Sequence, residues 1–303
     1  MKVKTNTLYA LIAASALMTL PSCGGESNNQ NNNNQQQTPT QTSQSSENKF
    51  YLIPSHEDLF AFSDDKNLQF VPGLVNPIEN IDKYVDNKSK EINFGTYSAD
   101  MAYSTAFGKY QESLKEFKIV RQLSDEIGIG GVFTQSLINR IDNVKEERDS
   151  LKQISSDIYN DIQIFLDSKN RSKTMTLIST GGWIEFLYII VNSVDKYDAN
   201  NPTIQRIADQ KIICKNLMDR LELEQADPSI KSTMNELKPL YQAYEELEVE
   251  KTNATSSKSN SGAIKVGGGS KIKMTENNFK KIKETISSVR NNITINNVKY
   301  VKY

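Results

Sequence analysis

The sequence predicts an all-α fold, either an antiparallel helical bundle or an array of helical hairpins. Apolar residues recur at three- and four-residue steps through most of the region between residues 76 and 250, which is the spacing of one helix face. Strand-like alternation is rare before residue 260. Asn201-Pro202 and Asp227-Pro228 have the residue types that start helices. Together these observations predict a helical body over residues 50–252.

Residues 1–22 have the pattern of a bacterial signal peptide. Two lysines precede an apolar run from Leu8 to Leu20, which is shorter than the roughly 20 residues that span a bilayer. The run ends in Leu20-Pro21-Ser22-Cys23, which resembles the lipobox of lipoproteins. That resemblance implies cleavage before Cys23 and lipid on its sulfur. The alternative is an ordinary secretory signal that is cut near Ser22 and leaves Cys23 unmodified.

Residues 23–49 are predicted to be a disordered linker, because they consist almost entirely of Asn, Gln, Ser and Thr. Lipoproteins carry more than one acyl chain, which is what stable anchoring requires, so we expect a long-lived tether to a membrane. Gly24 stands where an Asp would resemble the inner-membrane retention signal of enteric bacteria. The expected location is therefore the cell envelope, with the outer membrane favoured and its periplasmic or surface face left open.

The body is predicted to contain a series of helices. Pro77 is placed as a first-turn proline after Asn76 as N-cap, and Ile78, Ile81 and Val85 follow at helical spacing. The helical segments that follow are residues 94–127, residues 133–166 with a bend at the charged run 145–149, residues 174–197, residues 201–226 and residues 228–250. Gly181-Gly182 interrupts the most apolar of them and indicates either close helix packing or a break between two helices.

The C-terminal region is predicted to be a small basic appendage. Residues 253–273 are a Ser/Gly-rich linker, and residues 274–303 are a basic helix with a β-prone tail. The stretch from Lys251 to Tyr303 holds 11 basic and 2 acidic residues, whereas residues 23–250 carry a net charge of −12. We therefore expect the tail to dock on the acidic body, with lipid or a surface polymer as the alternative. Nucleic acid is not an expected partner for an envelope protein.

The residue inventory restricts the chemistry. The chain has one histidine, His56, and two cysteines, of which only Cys214 is left if Cys23 carries lipid. These counts exclude an internal disulfide in the mature chain, a two-histidine metal site and a CxxC redox pair. Gly267-Gly268-Gly269 lacks the spacing of a phosphate-binding loop. No catalytic residue, metal or cofactor is predicted, and the protein is not expected to be an enzyme.

Five residues are candidates for a ligand-binding site. Tyr97, Asp100 and Ser104 are spaced to share one helix face and could line a polar pocket. Glu185, with Trp183 beside it, lies in an almost wholly apolar segment, where an ionised carboxylate needs a partner. The structural alternatives are a Tyr–Asp pair that fixes helix register and a Glu185 side chain that reaches the rim and meets a Lys or Arg.

Two segments resemble a known group of proteins. The first is FGTYSADMAYSTAFGKYQESLKEFKIVRQLSDEIGI, from Phe94 to Ile129, and the second is STGGWIEFLYIIV, from Ser179 to Val191. Both are similar to segments of uncharacterised all-helical lipoproteins of Bacteroidota. The resemblance implies an all-helical fold and a location in the cell envelope.

The first segment is also similar to one tetratricopeptide helix pair. Gly108, Ser113, Phe117 and Val120 fall on that family's Gly, Ala, Phe and Ala positions, and Val120 departs from the pattern because it is larger than Ala. No second copy follows about 34 residues later, although such repeats stack on their neighbours.

The predicted function is therefore a membrane-tethered lipoprotein whose helical module binds an unknown ligand or an envelope protein partner. One alternative is a tetratricopeptide-like scaffold. The other is a carboxylate-dependent envelope enzyme, which requires Asp100 and Glu185 to share one cleft.

Overall fold

The computed structural model describes residues 69–144, 146–251, 255–258, 264–267 and 269–295. The signal peptide, Cys23, the linker over residues 23–49, His56 and the tail beyond residue 295 lie outside these ranges, so the predictions made for them stay predictions. Within the described ranges the predicted all-α fold is confirmed.

The α-helices of the described ranges are α1 (Asn87–Ala106), α2 (Tyr110–Glu126), α3 (Gln135–Val144), α4 (Arg148–Ser168), α5 (Ser172–Asn192), α6 (Pro202–Leu223), α7 (Pro228–Glu245) and α8 (Glu276–Thr294). Short 3-10 helices cover Ile78–Lys83 and Gly130–Val132. The bend predicted at residues 145–149 falls between α3 and α4.

Two of the predicted helices need correction. The segment 94–127 is not continuous, because Gly108 adopts a φ of 68° in a turn that separates α1 from α2. This conformation suits a residue without a Cβ. The helix expected after Pro77 is a short 3-10 helix, and Asn76 does not cap it, since its side-chain oxygen accepts a hydrogen bond from the Asn80 side-chain amide instead.

Side chains at the helix N-termini define where several helices begin. Asp86 accepts a hydrogen bond from the Ser89 N–H at the start of α1. Asn201 and Asp227 cap α6 and α7, and each is followed by a proline in the first turn, as predicted. Thr275 forms a capping box at the start of α8.

The buried apolar side chains form two clusters. The larger one joins α5 to α6, α7, α8 and part of α1. The smaller one joins α2, α3 and α4 to other residues of α1, and Ile178 of α5 contributes to it. Helices α1 and α5, which pack closely on each other, therefore contribute to both clusters. Helix α5 is long and apolar enough to cross a bilayer. However, 83% of its most apolar 18-residue stretch is buried inside the fold, as in a core helix.

The predicted C-terminal linker contains short strands. Strand β1 (Glu248–Glu250) pairs antiparallel with β4 (Lys271–Lys273), and β2 (Thr255–Lys258) pairs antiparallel with β3 (Ile264–Gly267). Helix α8 then packs its apolar face against α7 and α5 as part of the larger cluster. The described part of the basic segment thus shares the core of the body.

Candidate functional site

Glu185 forms an ion pair with Arg290 inside the core. The guanidinium of Arg290 in α8 donates two hydrogen bonds to the Glu185 carboxylate in α5, at N···O distances of 3.0 and 2.8 Å. Both side chains are buried. Arg290 also donates to the carbonyl of Leu74 and lies over the ring of Tyr188, 4.6 Å from its centroid. The partner is an arginine, as the structural alternative expected, but the pair lies in the core and not at the rim.

Asp100 lies close to this ion pair. Its Oδ2 accepts a hydrogen bond from the Asn76 N–H at 3.0 Å, and its Oδ1 has no hydrogen-bond partner among the described residues. Burial raises the pKa of Asp100 well above its ordinary range, and the carboxyls of Glu185 and Glu116 raise it further. These effects favour the neutral form of the Asp100 carboxyl beside Glu185.

The other three candidates reach separate partners. Tyr97 donates its hydroxyl to the carbonyl of Pro77 at 2.7 Å. Ser104 donates to Glu116 at 3.0 Å, and Trp183 donates its indole N–H to Gln210 on α6 at 3.0 Å. The structure thus brings Asp100 and Glu185 into one buried polar layer, while Trp183 bonds to a different helix.

This layer is part of the core. All five candidate side chains are fully buried, and none of them lines the clefts described below. The cleft that a carboxylate-dependent enzyme requires is not observed around Asp100 and Glu185 within the described ranges. The Tyr–Asp pair offered as the structural alternative is not formed, because Tyr97 donates to Pro77 and Asp100 accepts from Asn76. The polar contact that joins two helices here is the Glu185–Arg290 pair, between α5 and α8.

Sequence reasoning missed Arg290. It lies on the buried face of α8, next to Val289, and a basic residue four positions after Ile286 is the signal that could have identified it. It lies 105 residues from Glu185 in the chain, so the pairing itself could not be read from local spacing.

The crossing of α1 and α5 depends on two glycines. A Cβ added to Gly181 would lie 1.8 Å from the carbonyl oxygen of Ile92, and one added to Gly95 would lie 1.9 Å from that of Ile178. With any residue other than glycine at position 95 or 181, α1 and α5 could not lie so close to each other. The close-packing interpretation of Gly181-Gly182 is confirmed, and α5 continues through both glycines.

An apolar cleft lies between α1, α4 and α5. It encloses about 680 Å³, including the part open to solvent. We call it the first cleft. Phe94 and Ser98 of α1, Tyr159 and Ile162 of α4, and Ser179 and Phe186 of α5 are among its lining residues.

A second cleft adjoins the first. It encloses about 460 Å³, again including open space, between α1, α2, α3 and α4. Leu114, Ile141 and Leu151 are among the residues that line it. Met101, Ser155 and Ile158 line both clefts, and we call these three residues the shared section.

Ser179 is the unusual polar group of the first cleft. Its hydroxyl is buried and has no hydrogen-bond partner of good geometry among the described residues. Tyr159 lies beside it: burial raises the pKa of Tyr159, and the nearby Ser179 hydroxyl partly offsets that rise. An unsatisfied buried hydroxyl costs free energy, so a ligand atom that bonds to it would be favoured.

The clefts offer no charge and no metal ligands. The described residues that line the two clefts include no Asp, Glu, Lys, Arg or His. Among the described residues, no group of three or more His, Cys, Asp or Glu side chains is placed to hold a metal ion. What the clefts can do chemically is enclose an uncharged, mostly apolar molecule.

Comparison with known proteins adds no further constraint. The chain matches no family model, no curated protein sequence and no solved structure.

The tetratricopeptide-like alternative expects each hairpin to pack on the next one, whereas α1 packs most extensively on α5, four helices later. The candidate site therefore depends on the geometry of the clefts.

Proposed function

We propose that this protein is a lipid-tethered envelope protein whose helical body binds an apolar ligand in the first cleft. The observation that carries the proposal is the cleft itself, an apolar opening between α1, α4 and α5. Like small-molecule sites, it is lined mainly by apolar side chains with a few polar groups.

The packing around the cleft supports this proposal. Helix α4 is less buried than α5. The buried residues of α4 are confined to one face, and Ile164 on another face is 67% exposed. A ligand could therefore be admitted by a shift of α4, without any change in the α1–α5 crossing. The elements that move to admit ligands are usually the less stably packed ones.

The proposed location is supported by the sequence of the N-terminal region. The resemblance of Leu20-Pro21-Ser22-Cys23 to a lipobox and the polar composition of residues 23–49 favour a body held near a membrane surface on a linker. The outer membrane is the proposed membrane. A protein at that surface has access to apolar molecules that are scarce in water.

Binding can be tested with the fluorescent probe N-phenyl-1-naphthylamine, which is neutral and apolar. We expect the chain that starts at residue 23, with Cys23→Ser, to bind it at a single saturable site. Ser155→Phe places a ring in the shared section and should reduce the affinity at least about tenfold, since the ring fills space the ligand needs. Asn160→Phe adds the same ring at an exposed position of α4 and is the matched control, with no expected change.

The same titration can contradict the proposal. If the probe does not saturate, or if Ser155→Phe and Asn160→Phe bind it equally well while both remain folded by circular dichroism, then the cleft is not a ligand site.

The tether has a separate test. The natural chain should incorporate labelled palmitate when it is expressed in bacteria, and Cys23→Ser should not, because it lacks the sulfur that carries the lipid. Cys214→Ala is the control, because Cys214 is a buried thiol of the core and its loss should leave the labelling unchanged. Palmitate labelling of Cys23→Ser would contradict the lipid tether.

A further inference from the structure

We infer that the ligand is a single linear acyl chain that occupies both clefts, with its carbonyl beside Ser179 and its end in the second cleft. This inference rests on the proposed function. It specifies the shape of the ligand, its orientation in the two clefts and the uncharged polar group at one end.

The shape follows from the way the clefts join. Met101, Ser155 and Ile158 line both, so the two clefts are neighbours and these three side chains lie between them. A ligand that fills both must be long, and it must be thin where it passes the shared section. A flexible hydrocarbon chain has this shape, whereas a compact ring system would fill one cleft only.

The direction follows from the distribution of polar groups. In the second cleft, the hydroxyls of Thr105 and Ser113 are 2.7 Å apart and hydrogen-bonded to each other, so they do not require a ligand. In the first cleft the buried Ser179 hydroxyl lies beside Tyr159 but has no hydrogen bond of good geometry to a described residue. Ser179 is therefore the group that gains most from a polar ligand atom, which places the carbonyl in the first cleft.

The chemistry of the polar end follows from the absence of charge. An ionised carboxylate in an uncharged cleft would lose its hydration with no cation to replace it, which is costly. Among the described lining residues, no lysine, arginine or histidine supplies that cation. An ester carbonyl accepts one hydrogen bond from a hydroxyl without this cost. The favoured ligand is thus an esterified acyl chain, as in a glycerolipid, and not a free fatty acid.

A peptide is the less suitable occupant. Each peptide unit brings an N–H and a C=O that must be hydrogen-bonded when buried. The polar side chains of the clefts are few, and Thr105 and Ser113 already pair with each other. An extended peptide would therefore leave several backbone groups without partners.

The test uses the chain that starts at residue 23, with Cys23→Ser, and uncharged 1-monoacylglycerols of increasing length, octanoyl to myristoyl, titrated below their micelle concentrations. Affinity should rise by up to about tenfold for every two methylene groups that enter the clefts. Ser155→Phe should remove this dependence on length. Ser179→Ala should weaken every length by the same factor, at most about tenfold, since one hydrogen bond is lost in each complex.

The salts of the matching fatty acids, tested at a pH where they are ionised, form the second arm. They should bind at least about tenfold more weakly than the monoacylglycerols. Equal or tighter binding of the ionised acids would overturn the neutral-end assignment.

The outcomes separate this inference from the proposed function. If N-phenyl-1-naphthylamine saturates the first cleft but monoacylglycerol affinity does not depend on chain length, the acyl-chain inference fails and the proposed function stands. If neither compound binds, both fail. Should Ser155→Phe not fold, Ser98→Leu narrows the first cleft instead, because the Ser98 hydroxyl bonds only to its own helix, at the carbonyl of Phe94.

Discussion

Helices α1 and α5 meet the rest of the protein in two different ways. Toward α8 they present a polar layer in which the Glu185 carboxylate is bonded twice to Arg290, inside the larger apolar cluster. Toward α4 they present apolar side chains and small hydroxyl residues around an open cleft, in the smaller cluster. The same pair of helices is thus fixed on one side and left incompletely packed on another.

The difference indicates a division of roles. A buried ion pair specifies one arrangement of its helices, because any other arrangement leaves a charge without a partner. A cleft lined by apolar groups tolerates small movements of α4. Under the proposed function, the stable side holds α1 and α5 in place while the other side binds the ligand.

The largest expected effect comes from breaking the ion pair. Arg290→Met leaves the buried Glu185 carboxylate without its partner, so the free energy of unfolding should fall by about 3–5 kcal/mol. Urea denaturation measures this change. Adding Glu185→Leu to Arg290→Met should restore most of the loss, because no charge then remains unpaired.

Lys281→Met is the matched control on the same helix. Lys281 pairs with Glu246 at the surface, where both side chains are about half exposed, and removal of the pair should cost no more than about 1 kcal/mol. If Arg290→Met costs no more than Lys281→Met, the polar layer does not fix α8 on the body.

The next effect concerns the helix crossing. Gly181→Ala places a methyl group 1.8 Å from the Ile92 carbonyl oxygen, and because that atom belongs to the backbone, α1 and α5 must separate. The expected loss is about 1–3 kcal/mol, measured by thermal denaturation. Gly182→Ala is the neighbouring control: its added methyl meets only the Gly95 carbonyl oxygen at 3.5 Å, so this variant should be neutral or slightly stabilising. Equal losses in the two variants would contradict the close crossing.

A smaller effect is expected on the pH dependence of stability. Burial raises the pKa of Glu116 to about 7 from an ordinary value of 4.5. Between these values the folded state binds more protons than the unfolded state, so this group's contribution to stability falls as pH rises. Relative to Glu116→Gln, the natural protein should lose about 1 kcal/mol per pH unit across this window. Parallel pH profiles of the two proteins would show that Glu116 is not buried as described.

The smallest effect distinguishes two serines of the first cleft. Ser179→Ala removes a buried hydroxyl that has no partner among the described residues and should stabilise the free protein by about 1 kcal/mol. Ser98→Ala is the control: the Ser98 hydroxyl donates to the Phe94 carbonyl at 2.7 Å, so its removal should be neutral or slightly destabilising. If Ser179→Ala is the more destabilising of the two, its hydroxyl is already satisfied and is not held free for a ligand.

The helices could be predicted from the sequence, because periodicity and caps are local. Asn201-Pro202 and Asp227-Pro228 mark the starts of α6 and α7 where the structure has them. Gly108 was not recognised as the turn between α1 and α2, since a single glycine within an apolar period does not by itself end a helix. Its positive φ is visible only in the structure.

The candidate site could be predicted only in part. Asp100 and Glu185 stand out because carboxylates are rare in apolar segments, and both are indeed buried. Their hydrogen-bond partners could not be predicted. Arg290 bonds to Glu185 and Asn76 bonds to Asp100, and tertiary packing brings both partners from distant parts of the chain. The clefts follow from the spacing of three helices around small residues such as Ser98 and Ser179, and no local pattern encodes that spacing.

The central claim is that ligands bind beside α4 while the α8 side stays unchanged, and methionine methyl NMR tests it most directly. Met101 lies in the shared section, whereas Met274 belongs to the larger cluster. In methyl-labelled protein, with assignments from Met101→Leu and Met274→Leu, titration with a monoacylglycerol should shift the Met101 resonance and leave Met274 in place. A shift of Met274 without a shift of Met101, or no shift of either at saturating ligand, would contradict the claim.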